Sequence, residues 1–227
     1  MSAVDYRTFQ PENTSRVREN IEWTITYAFN ARDKVSPRLL LIGDSICHGY
    51  HGKVREKLAE RANITYWATS KCVTDPDYFR ELDFILDGAE YDLISFNNGL
   101  HSLIADREEW KNAYRAAAEF IAAKKTEALL TLTLCTPLSD PKRNAVVDEL
   151  NVYVRTLAEE KNLSVLDLNT PLAPLATEEH MRDVFHWKAP AVEMQADLIC
   201  AHAAERLRTV GKVIQLGSET GHDGAVE

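Results

Sequence analysis

The chain has 227 residues, a length that suits one large domain or two small ones. Hydrophobic residues make up 45% and charged residues 27%, an ordinary globular composition with ample material for a core. The formal net charge of −9 disfavours nucleic acid or an anionic membrane surface as the main partner, because like charges repel. It does not disfavour an uncharged substrate.

Residues 1–15 are polar and acidic, with neither a basic start nor an apolar run, so they are unlike a secretory signal. No stretch approaches the roughly 18 apolar residues that a membrane helix needs. The cysteines are scattered without paired spacing (Cys47, Cys72, Cys135 and Cys200). We therefore expect free thiols in a reducing cytoplasm, and predict a cytoplasmic location with no membrane partner.

Amphipathic segments and short apolar runs alternate along the chain. Apolar positions with helical spacing (Val17, Ile21, Ile25 and Phe29) predict an N-terminal helix over about 15–32, within a helical extension of about 1–34. Apolar runs predict strands at 38–43, 64–68, 92–96, 128–135 and 164–168. The remaining pattern predicts helices at about 53–62, 77–86, 107–125, 142–161 and 189–208, and a disordered tail at about 217–227.

This alternation is typical of a doubly wound α/β fold with a five-stranded parallel sheet. We see no linker that would split it, and predict one domain over residues 1–227. In such sheets, ligands bind at the carboxyl ends of the strands, where the strand order reverses. For a flavodoxin-like order, the loops after Gly43 and Phe96 are the places to look for chemistry.

The first of these loops contains Gly43, Asp44 and Ser45. Glycine permits a tight turn that a side chain would crowd. Ser45 then falls at a strand end and near a helix N-terminus, where backbone N–H groups can face developing negative charge. The same residues are also common as a helix cap, so the motif alone does not indicate catalysis.

Two further loops contain side chains that could act together with Ser45. Asp183 precedes His186 by three residues and can hold the imidazole Nδ1–H, leaving Nε2 free to take a hydroxyl proton. After the third strand, an amide of Asn97 or Asn98 can donate a hydrogen bond to an oxyanion formed near Ser45. The alternatives without a catalytic role are an ordinary surface histidine at 186 and a simple Asn-Asn-Gly turn at 97–99.

Taken together, these blocks resemble the SGNH (GDSL-type) hydrolase superfamily over about residues 38–208. The Gly43 to Ser45 turn is similar to its first block, Asn98 to its asparagine block, and Asp183 with His186 to its final block. The resemblance implies a three-layer α/β/α hydrolase of ester bonds, with no metal and no cofactor. Ser45 would be the nucleophile, His186 the base and Asp183 the residue that orients it.

The sequence departs from that family at two blocks. Phe96 stands where glycine is usual and Gly99 where aspartate is, so Asn98 is the better match for the oxyanion donor, with Asn97 second. The loop after the second strand lacks the usual glycine altogether. A backbone N–H exists at any non-proline residue, so Cys72 or Lys71 would supply that donor.

Further residues near these loops are candidates for substrate binding. Asp44, Asn97 and His101 would lie at the pocket, although a structural role for His101 is an equal alternative. Lys71 could bind an anionic group such as a uronate, and Trp187 could form a wall of the acyl or sugar site. The competing interpretation of Lys71 is a solvated lysine on a loop.

The resemblance favours a small acyl ester, such as acetyl on a carbohydrate, with lipid esters and thioesters as alternatives. A catalytically inactive binding protein on the same fold is a further alternative. Cys47 could replace Ser45 as nucleophile, and a zinc site could form from a small set of side chains (Cys47, His48, His51 and Cys72), although their spacing is irregular. A nucleotide or flavin site is disfavoured, because no glycine-rich phosphate-binding motif occurs.

Overall fold

A computed structural model describes residues 4–12, 14–214 and 216. Over these residues the strands are β1 (Thr24–Ala28), β2 (Arg38–Gly43), β3 (Asn63–Thr69), β4 (Leu93–Phe96), β5 (Leu129–Thr133) and β6 (Ser164–Leu166). The helices are α1 (Ser45–Lys57), α2 (Pro76–Asp87), α3 (Arg107–Lys124), α4 (Pro141–Lys161) and α5 (Ala189–Arg208). Short 3-10 turns occur at Tyr6–Thr8, Leu100–Ser102 and Ala173–Leu175.

The strands form one sheet in the order β1-β3-β2-β4-β5-β6. From β3 to β6 all neighbours are parallel, and the order of these five strands is the flavodoxin-like one. The predicted α/β class and three-layer architecture are confirmed. The strand order reverses at β2, between β3 and β4, so the loops that follow these three strands meet at one end of the sheet.

Two apolar layers cover the sheet, one on each face. Successive residues of a strand point to opposite faces. In β2, Leu39 and Leu41 therefore pack with α1 and α5, whereas Leu40 and Ile42 pack with α2, α3 and α4. Because every residue of β2 is buried, this strand appears in the sequence as a continuous apolar run rather than an alternating one.

The predicted N-terminal helix over 15–32 is wrong. Residues 14–23 are irregular, and β1 follows as a sixth strand, antiparallel to β3 at the edge of the sheet. The local sequence Thr24-Ile25-Thr26-Tyr27 is β-branched and aromatic, which favours a strand. The helical spacing of the apolar residues was misleading, since Ile21 is 73% exposed.

Helix α1 begins at Ser45, eight residues before the start of the helix predicted over about 53–62, and ends at Lys57. The side chain of Asp44 accepts the Ile46 N–H at 2.9 Å and so caps the helix. Gly49 and Gly52 lie inside this helix. Because glycine disfavours helix interiors, the local sequence does not predict a helix over these residues. The other four helices begin and end within one residue of the predicted bounds.

All four cysteines are buried free thiols. None of the helices in the described part of the chain is long and apolar enough to span a bilayer. The predicted disordered tail at about 217–227 lies outside the described residues.

One half-buried histidine makes the stability of this fold depend on pH. His202 of α5 lies under the sheet with Nε2 3.1 Å from Thr131 Oγ1, and burial lowers its pKa. The unfolded chain, with a histidine pKa of about 6.5, then binds the proton more readily. Stability from the neutral ring should be present above that pH and be lost as pH falls.

We expect the free energy of unfolding in urea to decrease from about pH 8 to about pH 5 more steeply for the wild type than for His202→Gln. Glutamine keeps a polar group near Thr131 and cannot be protonated. Equal pH dependence in the two proteins would contradict this assignment.

Candidate active site

Ser45 is positioned by a tight turn between β2 and α1. A Cβ atom on Gly43 would lie 2.7 Å from the Cβ of Cys47, so only glycine fits there. Asp44 then caps the helix, and Ser45 is its first residue. The turn places a half-buried hydroxyl at the positive end of α1, where the first backbone N–H groups have no partner within the helix.

The loop after β6 brings a histidine and an aspartate to this serine. His186 Nε2 lies 2.9 Å from Ser45 Oγ. On the other side of the ring, His186 Nδ1 lies 2.8 Å from Asp183 Oδ2 and 3.0 Å from Oδ1. The three side chains thus form a continuous line of hydrogen bonds between residues far apart in sequence.

The carboxylate of Asp183 is held in its charged form. Burial raises the pKa of this carboxyl, but hydrogen bonds from the His186 ring and from the backbone N–H groups of His186 and Phe185 outweigh it and lower the pKa to about 2. Asp183 is therefore ionised at any pH near neutrality. A negative charge beside Nδ1 fixes the imidazole tautomer and stabilises the ring when Nε2 gains a proton.

Trp187 anchors the histidine loop and does not form a wall of an open site. Its side chain is only 2% exposed and packs in the core layer of α1 and α5. Trp187 pairs with Met181 in an isolated β-bridge, and the Arg182 N–H donates to the His186 carbonyl at 2.7 Å. The predicted contact of Trp187 with substrate is therefore corrected, since the indole is buried behind the loop.

Asn98 ties together the loops after β3 and β4. Its Oδ1 accepts the Val73 N–H at 2.9 Å, and its Nδ2 donates to the Lys71 carbonyl at 2.9 Å. Cys72 stands between those two residues and is fully buried. The predicted oxyanion residues Asn98 and Cys72 thus belong to one hydrogen-bonded unit, which leaves one amide N–H of Asn98 for another acceptor.

Asn97 points toward β5. Its Nδ2 donates to the Thr133 carbonyl at 2.8 Å and approaches Cys135 Sγ at 3.4 Å. Asn97 is half-buried and lines a small crevice, with room for about one water molecule, against Gly43 and Asp44. Asn97 therefore borders the space beside the Ser45 turn.

The charged candidates are already engaged by the protein. Lys71 Nζ lies 2.9 Å from Glu81 Oε1 with its side chain 13% exposed, so the predicted uronate contact is replaced by an internal ion pair. Asp44 is 4% exposed and caps α1, and it also lines the crevice beside Asn97, so its contact with substrate stays a prediction. His101 Nδ1 lies 2.5 Å from Glu19 Oε1.

The alternative nucleophile Cys47 and the suggested metal-binding residues are engaged within the protein. Cys47 is buried, and burial raises the pKa of its thiol to about 12, which makes it a poor nucleophile. His48 Nδ1 lies 3.2 Å from the Tyr66 hydroxyl, and the His51 ring stacks on Tyr66 with centroids 3.8 Å apart. Among residues 4–12, 14–214 and 216, no three histidine, cysteine or acidic side chains are placed to hold a metal ion.

Several contacts around the site were missed from sequence. Glu19, Glu22 and Trp23 touch the loops beside the site, but the predicted helix hid this segment. Asn151 of α4 binds both the N–H and the carbonyl of Cys135, at 2.9 and 3.0 Å. Only a buried polar residue on an otherwise apolar helix face could have signalled it.

Comparison with known proteins gives likenesses in structure only. No protein-family model and no curated protein matches the chain. A member of the lipolytic protein G-D-S-L family from Veillonella parvula is similar, with a TM-score of 0.59 and 20% identity over 75% of this chain and 97% of its own.

Two esterases are also similar. One is a variant of an acetyl xylan esterase from Geobacillus stearothermophilus, with a TM-score of 0.57 and 17% identity over 82% of this chain and 100% of its own. The other is a carbohydrate esterase of family 3 from Talaromyces cellulolyticus, with a TM-score of 0.61 and 12% identity over 76% of this chain and 99% of its own. The chain has the SGNH hydrolase fold. The resemblance drawn from the sequence blocks is thereby confirmed at the level of the fold.

The SGNH fold here leaves no room for a side chain at Gly99. A Cβ atom at this position would collide with Cys135 Sγ, whereas its next neighbours lie 3.6 Å or more away. Gly99→Ala should therefore overpack this point, displace the adjoining Asn98 and lower the free energy of unfolding by about 1–3 kcal/mol.

Removing the sulfur should relieve that collision. We expect the double variant Gly99→Ala, Cys135→Ala to regain most of the lost stability, measured by urea unfolding against Cys135→Ala alone as the control. Failure of the second change to restore any stability would contradict a steric origin.

Proposed function

We propose that this protein is a serine esterase that forms an acyl-enzyme on Ser45. One observation carries the proposal: Ser45 Oγ lies 2.9 Å from His186 Nε2, while Nδ1 of the same ring is held by the ionised Asp183. This arrangement activates a hydroxyl that is otherwise a weak nucleophile. Ester hydrolases among the structural neighbours support the same chemistry.

The reaction proceeds in two steps. His186 takes the Ser45 proton as Oγ attacks the ester carbonyl, and the protonated ring then gives that proton to the leaving alcohol. Water next attacks the acyl-enzyme and loses a proton to His186, and the acid leaves as Ser45 recovers its proton. Asp183 stabilises the positively charged ring in both steps.

The oxyanion would be held by donors from three loops. The N–H of Ser45 is one, since the first N–H groups of a helix lack helical acceptors. The second is the backbone N–H of Cys72, and the third is the free amide N–H of Asn98, which the loop contacts of that residue support. Asn97, beside the Ser45 turn, is the second candidate for the amide donor. Removing one such donor typically lowers kcat about 10²–10³-fold.

The substrate class that fits is a small acyl ester of an uncharged alcohol, such as an acetylated sugar. The crevice beside the Ser45 turn is small. The side chains of His186 and Asp183 are 35% and 53% exposed, so a bulky alcohol can reach them. Glu81 neutralises Lys71, which disfavours recognition of an anionic group. Two of the similar structures are esterases of carbohydrate substrates by name, which supports a sugar alcohol.

Reaction with a fluorophosphonate probe tests the nucleophile. Intact-mass measurement should show one adduct on the wild type and none on Ser45→Ala, because only an activated serine reacts with this reagent. Cys47→Ala is the matched control and should label like the wild type.

A folded wild type that gains no adduct would count against the esterase and favour a catalytically inactive binding protein. An adduct that persists in Ser45→Ala would place the nucleophile elsewhere.

A series of acyl chains tests the substrate class. With 4-nitrophenyl acetate, butyrate and octanoate, kcat/KM should fall as the chain lengthens, because a longer chain exceeds the small crevice. Acetylated xylo-oligosaccharides should release acetate, measured by coupled assay. A preference for octanoate, or for acyl thioesters over all oxygen esters, would favour the lipid-ester or thioester alternative instead.

A further inference from the structure

An irregular segment at residues 15–23, which we call the strap, runs against the loops beside the site. Arg16 and Arg18 place their Nε atoms 3.3 and 3.4 Å from the carboxylate of Asp75. Asp75 is fully buried and caps α2 by accepting the Asp77 N–H at 2.9 Å. The first half of the strap is thus fixed by a doubly paired, buried carboxylate.

The strap attaches to the loop after β4 through Glu19. Glu19 Oε1 lies 2.5 Å from His101 Nδ1, and the Trp23 ring meets the His101 ring edge-on with centroids 6.0 Å apart. The neighbouring Ser102 donates its hydroxyl to Asn98 Oδ1 at 3.1 Å. Because Ser102 follows His101 directly, a shift of His101 would move Ser102 and, through this hydrogen bond, Asn98.

The strap also attaches to the loop after β3. The Trp23 N–H donates to Ser70 Oγ at 2.9 Å, and the Ser70 N–H donates to the Trp23 carbonyl at 3.1 Å. Ser70 Oγ donates in turn to Glu22 Oε2 at 2.8 Å, while Glu22 Oε1 accepts the Glu19 N–H at 2.7 Å. Glu22 thereby couples the two attachment points.

These contacts close a ring, because Asn98 already joins the loop after β3 to the loop after β4. Asn98 is one link of this ring, and Cys72 lies between its Lys71 and Val73 contacts; these two residues are two of the three donors of the proposed oxyanion site. We propose that the strap positions these donors, with Glu19 and His101 as the positioning pair. This inference rests on the proposed esterase function.

A positioning role differs measurably from a structural one. The Glu19 side chain is 50% exposed, and a polar contact of a half-exposed side chain contributes little to stability. Loss of its charge should leave the fold intact. A small displacement of an oxyanion donor, in contrast, acts on the transition state and lowers kcat more than it changes KM.

The test uses Glu19→Gln in the full chain with 4-nitrophenyl acetate. We expect kcat to fall about tenfold, with KM changed less than about twofold and a melting temperature within a few degrees of the wild type. Asp5→Asn is the matched control: it also converts an N-terminal carboxylate to an amide and breaks an ion pair, with Arg7, away from both loops. It should keep the wild-type kcat.

A double-mutant cycle adds a second readout. His101→Gln should lose as much kcat as Glu19→Gln, and the double variant should lose little more, because the two side chains act as one unit. Additive losses would overturn the pairing. If His101→Gln does not fold, Glu19→Gln alone decides.

The strap proposal is overturned if Glu19→Gln keeps the wild-type kcat while the wild type reacts with fluorophosphonate. It is also overturned if the loss of kcat is matched by Asp5→Asn or accompanies a large loss of thermal stability. A wild type that does not react with fluorophosphonate overturns the esterase function and the strap proposal together.

Discussion

The turn from β2 into α1 is the constraint on which the rest of the structure depends. Gly43 packs against Cys47 with no room for a side chain, and Asp44 closes the first turn of the helix. Ser45 therefore stands at one fixed point, with the positive end of α1 behind it. The strand before this turn is buried on both faces, so the point cannot shift without disturbing both core layers.

The loops after β3 and β4 flank this point because β2 lies between these strands in the sheet, and the histidine loop after β6 reaches it from further along the sheet. Asn98 joins the loops on either side with two hydrogen bonds, and the histidine loop is held from beneath by the buried Trp187. The polar contacts that matter here are made largely by backbone groups and amides, which keep their geometry without a change of charge. The exception is Asp183, whose charge is kept by three donors.

The edge of the sheet has a role of its own. Strand β1 extends the parallel sheet by one antiparallel member, and the strap before it crosses the ends of the neighbouring loops. An open sheet edge presents unpaired N–H and C=O groups, which proteins commonly cover or blunt. Here the same segment ends an open sheet edge at β3 and supplies acidic contacts to the loops beside Ser45.

The sequence by itself determined the five parallel strands, four helices nearly to the residue, and the serine, histidine and aspartate that meet at the site. These succeeded because buried strands and amphipathic helices leave strong local patterns, and because the turn at Gly43 has few alternatives. Only the tertiary structure decided that residues 15–28 form a strap and a strand, that Trp187 and Asp44 are buried, and that Lys71 is paired with Glu81. Each of these depends on partners distant in the chain, which no local pattern records.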